Sequence, residues 1–321
     1  MADGEPAPSS VSIAMATYNS SRYLREQLES VIAQTRAPAE IVVSDDGSTD
    51  DTLAILAEYA QRDRRIAIFH NRSGERNRIN RNFENAARRC TGSWVAFCDH
   101  DDIWLPDKLE VLYSNRHGAP LVYGRSELVD AAGRPMGVKA QDHLGFPRYF
   151  SGAVSPYILI NANTVSGHAM IVRRTVIDAG LPFPDSIMFD QWLALVAACR
   201  GKIRFVDETV VLHRIHTENS VHHLRKTGNR HRSRITAPDR YRGAIDRKSE
   251  ILLRLWAFEA DLEPADRAFL DEYLEHLRRA PSHYFDLRFL LAGFTMRRRL
   301  YPQKFAWRLF KECIGGRWYG A

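Results

Sequence analysis

The stretch Trp94-Val95-Ala96-Phe97-Cys98-Asp99-His100-Asp101-Asp102-Ile103-Trp104-Leu105 decides how the chain is to be read. In it a short apolar run meets three carboxylates, Asp99, Asp101 and Asp102. An apolar run bounded by turn residues predicts a buried strand of a parallel sheet, so the acids fall just past its carboxyl end. Open α/β sheets bind their ligands in the crevice at that end. Carboxylates so close together resist ionisation unless a cation neutralises them. Oxygen ligands suit a hard divalent ion, Mg²⁺ or Mn²⁺. Taken alone, an Asp-x-Asp is more often a solvated acidic turn, and the surrounding chain has to separate the two readings.

Toward the amino terminus, Val11 to Ala16 predicts a first strand. Thr17-Tyr18-Asn19-Ser20-Ser21 then supplies turn and cap chemistry before an amphipathic helix through about Gln34. Ile41 to Ser44 is a second strand that ends in Asp45-Asp46-Gly47-Ser48-Thr49-Asp50-Asp51. Gly47 allows a tight turn there, and Ser48 or Thr49 can cap the helix that follows to about Gln61. Ile66 to Phe69 predicts a third strand, Asn82 to Arg89 a third helix, and Trp94 to Cys98 the fourth strand. Strands and helices alternating at this length give βαβ units, hence an α/β fold with a right-handed, doubly wound, mostly parallel sheet. Two acidic strand ends, Asp45/Asp46 and Asp99/Asp101/Asp102, then share one sheet edge. A nucleotide suits that edge, because a carboxylate accepts from a base N–H or a ribose hydroxyl while a metal carries the diphosphate. No Gly-x-Gly-x-x-Gly follows the first strand and no Gly-Lys-Ser/Thr loop occurs, which disfavours a dinucleotide fold and a P-loop NTPase.

Toward the carboxyl terminus, a helix carrying Lys108 and Leu112 and a strand at Leu121 to Tyr123 are expected. Val129 to Tyr157 is rich in Gly and Pro without clear periodicity, and reads as an insertion shaping the acceptor side. Phe189 to Cys199 has helical spacing, with Trp192, Leu195 and Val196 as its apolar stripe and Asp190 at its start, where the helix dipole favours a negative charge. Val210 to Leu212 is a further strand leading into His213, Arg214 and His216. The domain reading is therefore a disordered tail over residues 1–10, a catalytic domain over 11–220, a basic linker or lid over 221–248, and a helical C-terminal region over 249–321.

The chain has 321 residues, a net charge of +6 and a pI near 9.2. It is long enough for one large domain or two smaller ones. The basic balance suggests an anionic partner. Cys90, Cys98, Cys199 and Cys313 form no Cys-x-x-Cys pair, which speaks against a zinc site built from cysteines and for a reducing compartment. No stretch approaches the roughly 20 apolar residues of a membrane span. The C-terminal aromatics, Phe285 to Trp318, interleave with Arg288, Arg297, Arg298, Arg299, Lys304 and Arg308. That pattern predicts either attachment to an anionic membrane surface, by a cytoplasmic protein that sits peripherally on the inner face of the membrane, or an internal helical cap packed on the catalytic domain. No nucleic-acid reader module is recognisable, so nucleic acid is not an expected partner.

Val11 to Asn19, Val42-Val43-Ser44-Asp45-Asp46-Gly47-Ser48-Thr49-Asp50 and Phe97 to Leu109 together resemble the inverting GT-A glycosyltransferases of family 2. The last run is closest to the rhamnosyltransferase-like branch of bacterial polysaccharide synthesis, with His100 in place of that branch's usual Gln. Ser166 to Met170, Phe189 to Leu193 and Leu212 to His216 extend the likeness over residues 11 to 220. The resemblance implies a GT-A fold, a Rossmann-like doubly wound sheet, followed here by a C-terminal helical extension. It also implies a nucleotide diphosphate sugar donor and a glycan or lipid-linked acceptor. Tyr18 and Asp46 would lie against the base, with Thr17 and Asp45 supporting that turn. Asp99 would reach the ribose or metal, Asp101 would bind the metal, and Asp102 would stand behind them. Arg78 would meet the base or diphosphate, and Asp190 would be the catalytic base. By its own chemistry a neutral imidazole at His216 could complete the metal shell or hydrogen-bond the diphosphate. A phosphotransferase of the haloacid-dehalogenase kind uses the first aspartate of an Asp-x-Asp as nucleophile, but that motif follows the first strand and not the fourth. A catalytically silent GT-A scaffold is the other alternative.

Overall fold

The computed structural model describes residues 10–71, 78–140, 149–216, 237–296, 309 and 313–315. The N-terminal tail up to Ser9, the basic run from His222 to Arg234, and Arg297 to Arg299, Lys304, Arg308, Trp307 and Trp318 lie outside the described residues. So does the side chain of Arg78. The described residues among 1–152, 164–197 and 201–215 form one compact unit, and those among 153–163, 198–200 and 216–321 a second.

The first unit is built on a mixed sheet. Strands β1 (Val11–Thr17), β2 (Glu40–Asp45), β3 (Ile66–His70) and β4 (Trp94–Cys98) are mutually parallel in the order β3-β2-β1-β4. All seven residues of β1 and all five of β4 are buried, which is why both read as continuous apolar runs and not as alternating ones. Register aligns Thr17 with Asp45 and Met15 with Cys98. The strands of this half therefore end together, and their polar continuations collect at one edge.

Beyond β4 the sheet turns mixed. β8 (Met170–Arg173) runs antiparallel to β4 and to β6 (Leu121–Val129), and β9 (Ile203–Arg214) runs parallel to β6. The short β5 (Ile103–Trp104), which continues the acidic loop, pairs antiparallel with the far end of β9. Helices α1 (Leu24–Ile32), α2 (Thr52–Arg62) and α4 (Lys108–Ser114) cover one face, where Leu24, Leu28, Leu56, Leu109 and Leu112 pack on Ile13, Met15, Ile41, Val43 and Trp94. On the other face α3 (Arg78–Arg89) places Phe83, Ala86 and Ala87 at i, i+3 and i+4, all buried. Phe83 meets Phe97 edge-on at 5.8 Å and Phe189 at 4.3 Å. Burial of one such ring contributes about 1.5–3 kcal/mol.

Three elements depart from the sequence expectation. β6 continues to Val129 and pairs with β7 (Pro135–Lys139), inside the segment read as an insertion without clear periodicity. Every residue of β7 is exposed, so its pairing rests on backbone hydrogen bonds and leaves no apolar pattern to detect. Its turn is set by Asp130, whose carboxylate accepts from the Ala132 and Arg134 N–H groups. β9 begins seven residues before Val210, because Arg204, Asp207 and Glu208 point outward and interrupt its apolar character. The third departure lies in the second unit, where helix α8 (Ala237–Leu255) starts within the segment expected to be linker; its buried contacts come only at its end, through Ile251, Leu252 and Leu255.

The second unit also holds α5 (Pro156–Asn161), α9 (Pro264–Arg279) and α10 (Leu287–Thr295). Tyr157, Phe269, Tyr273 and Phe289 form its aromatic centre. Ser155 Oγ donates to the Asp266 carboxylate at 2.9 Å and Tyr157 OH to the Asp266 carbonyl at 2.5 Å. Asp286 caps α10 by accepting the Phe289 N–H. No described helix is long and apolar enough to cross a membrane.

Candidate active site at the carboxyl edge of the sheet

The turn after β2 is organised by one carboxylate. Asp45 is fully buried; its Oδ1 accepts the N–H groups of Gly47 and Ser48, and its Oδ2 accepts Ser48 Oγ at 2.6 Å and Thr17 Oγ1 at 2.9 Å. Gly47 sits at φ +80°, the left-handed region that a side chain would strain. Thr17 and Asp45 thus shape the turn from within. The neighbouring Asp46 has its N–H on the Thr17 carbonyl and accepts from Asn71 Nδ2 at 3.3 Å. Asn82 Nδ2 donates to the same Thr17 carbonyl at 3.0 Å. Tyr18 stands at the rim, 42% exposed. Arg78 opens α3 beside this edge in sequence.

The acidic loop after β4 is graded in burial. Asp99 retains 37% side-chain exposure, Asp101 10% and Asp102 none. Asp102 Oδ1 accepts His213 Nδ1 at 2.8 Å and the Arg214 N–H at 3.1 Å. Its Oδ2 makes no hydrogen bond among the described residues and lies 3.9 Å from His168 Nδ1, which is also 3.6 Å from Asp99 Oδ2. His168 and His213 stack face to face, 4.5 Å apart and 5° from parallel. Burial opposes the charge on Asp102, but His213, His168 and the two hydrogen bonds outweigh it and hold the carboxyl well below the usual range. Burial likewise disfavours protonated His213, yet Asp102 wins and raises it to about 9.

A second set of groups fixes this loop. Buried Arg214 donates through Nε to the Asp101 carbonyl at 2.9 Å, through Nη1 to the Ala131 carbonyl at 3.1 Å, and through Nη2 to Glu26. Lys108, fully buried, donates to the His168 carbonyl at 2.5 Å and lies over the Trp104 ring at 3.2 Å. Burial lowers its ammonium to about 7. Ser126 Oγ lies 2.8 Å from His168 Nε2, which leaves Nδ1 facing the acids. The sequence reading quoted the runs containing His168, His213 and Arg214 but gave these residues no role. The signal was there in the paired histidine motifs, Ser166 to Met170 and Leu212 to His216.

Asp190 opens α7 (Phe189–Arg200). Asn80 anchors the approach: its Nδ2 donates to the carbonyls of Pro184 and Ile187, and its Oδ1 accepts the Phe189 N–H. Asp190 Oδ2 accepts the Gly167 N–H at 3.2 Å and Oδ1 the Gln191 N–H at 2.6 Å. A Cβ on Gly167 would meet the Phe189 ring at 2.5 Å, so only glycine brings that N–H this near. Although Asp190 keeps partial exposure, desolvation outweighs the two N–H donors and raises its carboxyl to about 6; His168 and Asp99 act on it electrostatically. The edge therefore combines a carboxylate whose pKa is raised toward neutrality with an acidic loop four positions long. His216 follows β9, is partly buried and belongs to the second unit.

The residues fit a divalent ion. Asp102 Oδ2, a buried carboxylate oxygen without a hydrogen bond among the described residues, lies 3.9 Å from His168 Nδ1, and Asp102, His168 and His213 offer ligand atoms all within 4.8 Å of one another.

Comparison with known proteins gives this geometry a family. An uncharacterized glycosyltransferase of Nostoc sp. is 30% identical over 230 residues, 65% of this chain and 66% of its own length. WfgD of Escherichia coli, a UDP-Glc:alpha-D-GlcNAc-diphosphoundecaprenol beta-1,3-glucosyltransferase, is 34% identical over 122 residues, 37% of this chain and 47% of that protein. The chain spans no more than 66% of the length of either relative. The crystal structure of S. aureus TarS 1–349 with UDP-GlcNAc superposes with a TM-score of 0.57 at 20% identity, covering 96% of this chain and 82% of that chain, which identifies the fold as GT-A. A family model for glycosyl transferase family 2 matches residues 12–181, from β1 through the acidic loop to the end of the helix after β8. More than half of the residues, the acidic sheet edge included, fall within that match, and the chain belongs to glycosyl transferase family 2.

Proposed function

We propose that the chain is an inverting, divalent-cation-dependent glycosyltransferase. It moves a hexose, or a deoxyhexose such as rhamnose, from a nucleotide diphosphate donor to a glycan or lipid-linked acceptor in surface polysaccharide synthesis. The observation that carries the reading is Asp190: a carboxylate at the start of a helix, held by two backbone N–H groups, with its pKa moved toward neutrality and within electrostatic reach of the acidic loop. A base tuned this way takes the proton of an acceptor hydroxyl as the new bond forms.

Tyr18 and Asp46 receive the base, on the turn that Thr17 and Asp45 shape, and Arg78 meets the diphosphate. Asp99 and Asp101 hold Mg²⁺ or Mn²⁺. Asp102 and His168 join this set because Asp102 Oδ2 and His168 Nδ1 face the same point. The ion, when bound, neutralises the charge of the departing diphosphate. The relative WfgD, by its name, uses UDP-Glc and a diphosphoundecaprenol-linked acceptor, which favours a lipid-linked acceptor here. Such an acceptor is presented at a membrane, and α10 shows Leu287, Leu291 and Phe294, each at least 45% exposed, along one side. We place the protein on the cytoplasmic face of the membrane accordingly.

The test is turnover. Purified protein is incubated with Mn²⁺, a diphosphoundecaprenol-linked sugar, and UDP-glucose, UDP-GlcNAc or a nucleotide diphosphate rhamnose in turn. Release of nucleoside diphosphate with an inverted anomeric centre in the product, read by NMR, is expected for one donor. A retained configuration refutes the single displacement. No release with any donor favours the silent scaffold.

A further inference from the structure

In the second unit, three side chains able to ligate a metal meet at one point. His276 comes from the last turn of α9, and His283 and Asp286 from the turn that enters α10. His276 Nδ1 lies 3.0 Å and His283 Nε2 3.4 Å from the same oxygen, Asp286 Oδ2. Two ligands at about 2.0–2.1 Å from one tetrahedral zinc stand about 3.3–3.4 Å apart, so the span suits that ion. Two imidazoles and one carboxylate also suit zinc better than Mg²⁺, which prefers oxygen throughout.

Two further observations point to a ligand. Both ring nitrogens of His283 are shielded from solvent, and neither makes a hydrogen bond among the described residues. Buried polar atoms seldom bear that cost without a partner. The surroundings are also built to hold the rings still. His276 stacks on Phe289 at 3.9 Å and 10°. The Asp286 N–H bonds the Cys313 carbonyl and the Gly315 N–H the Tyr284 carbonyl, clamping the turn. Any side chain at Gly315 would strike the backbone carbonyl and Nδ1 of His283. Arg279 donates to Asp286 Oδ2 at 2.9 Å, and also to Glu272 at 3.2 Å, so its guanidinium keeps a carboxylate when a cation takes the aspartate oxygen.

We propose that His276, His283 and Asp286 bind one Zn²⁺, with water at the fourth position, and that this ion staples the end of α9 to the start of α10. It is a structural site separate from the acidic loop of the first unit. A metal that binds only the folded unit adds its binding free energy to stability.

The full chain is stripped with EDTA, dialysed and titrated with Zn²⁺, and bound zinc and the melting temperature are read for wild type, His283→Gln and Asp101→Asn. Wild type and Asp101→Asn should both retain one zinc equivalent that His283→Gln lacks. Zinc should raise the melting temperature of those two by more than that of His283→Gln, which keeps the acidic-loop groups Asp102, His168 and His213. Equal zinc content in wild type and His283→Gln, or no zinc-dependent shift in wild type, overturns the proposal in favour of a plain imidazolium-carboxylate pair. If His283→Gln does not fold, Co²⁺ loaded into wild type decides. The strong visible bands of four-coordinate cobalt support the site, and weak six-coordinate absorption alone refutes it.

Discussion

Replacing Asp190 with Asn separates the base role proposed for this residue from its role in the fold. The side chain keeps its size but cannot take a proton, so turnover should fall by about 10²- to 10⁴-fold while donor affinity survives. Stability supplies an independent check. The carboxyl of Asp190 is raised from 3.8 to about 6 in the folded protein. The native state thus holds this proton more tightly than the unfolded chain does. Its contribution is present in full below the unfolded pKa and is lost as pH rises through about 6, at most about 3 kcal/mol in all. Between pH 5 and pH 8 the loss is about 1.4 kcal/mol. Asn does not titrate. It also leaves one of the two N–H donors, Gly167 or Gln191, facing an amide NH₂, a cost of about 1–3 kcal/mol that is independent of pH. Urea unfolding of both proteins at pH 5 and pH 8 cancels that constant term. The stability difference should move by about 1.4 kcal/mol in favour of the variant at the higher pH. A difference that stays constant within about 0.3 kcal/mol would show that burial does not hold the Asp190 proton. A variant that turns over at the wild-type rate would remove it as the base.

Three further outcomes are expected. With EDTA present, or with Asp101→Asn, calorimetric binding of a nucleoside diphosphate should be lost, since a diphosphate against three carboxylates is repelled without a cation; undiminished affinity would exclude the metal site. Arg214→Met should lower stability by about 3–5 kcal/mol in urea, because it strands the Asp101 and Ala131 carbonyls that the guanidinium serves; a loss below about 1 kcal/mol would mean the loop holds itself. At low salt the protein should pellet with anionic liposomes through the α10 side carrying Leu287, Leu291 and Phe294, and Leu291→Glu should abolish pelleting; equal pelleting of the variant would place the contact elsewhere.

Much of the parallel half of the sheet was legible because β1 and β4 are buried on both faces, so their apolar runs need no partner to be recognised. The antiparallel half was not. β7 shows all of its side chains to solvent, and β9 alternates charged with apolar residues, so their pairing leaves little trace in composition. A similar divide runs through the site. Asp99, Asp101 and Asp190 stood out as carboxylates at element ends. His168 and Arg214 are 46 residues apart, and nothing in local pattern says that β8 and β9 flank β6 and bring both to the acidic loop. What the sequence hides is long-range service to a loop. Asp102 looks like the third member of an acidic run, yet it is the one carboxylate of the three that is wholly buried, with Arg214 and His213 bound to one oxygen and the other left facing His168. A buried carboxylate with one oxygen unserved is costly unless a cation arrives. The fold therefore tolerates at Asp102 an unserved oxygen that a bound cation would satisfy, beside a half-buried Asp99 and a nearly buried Asp101.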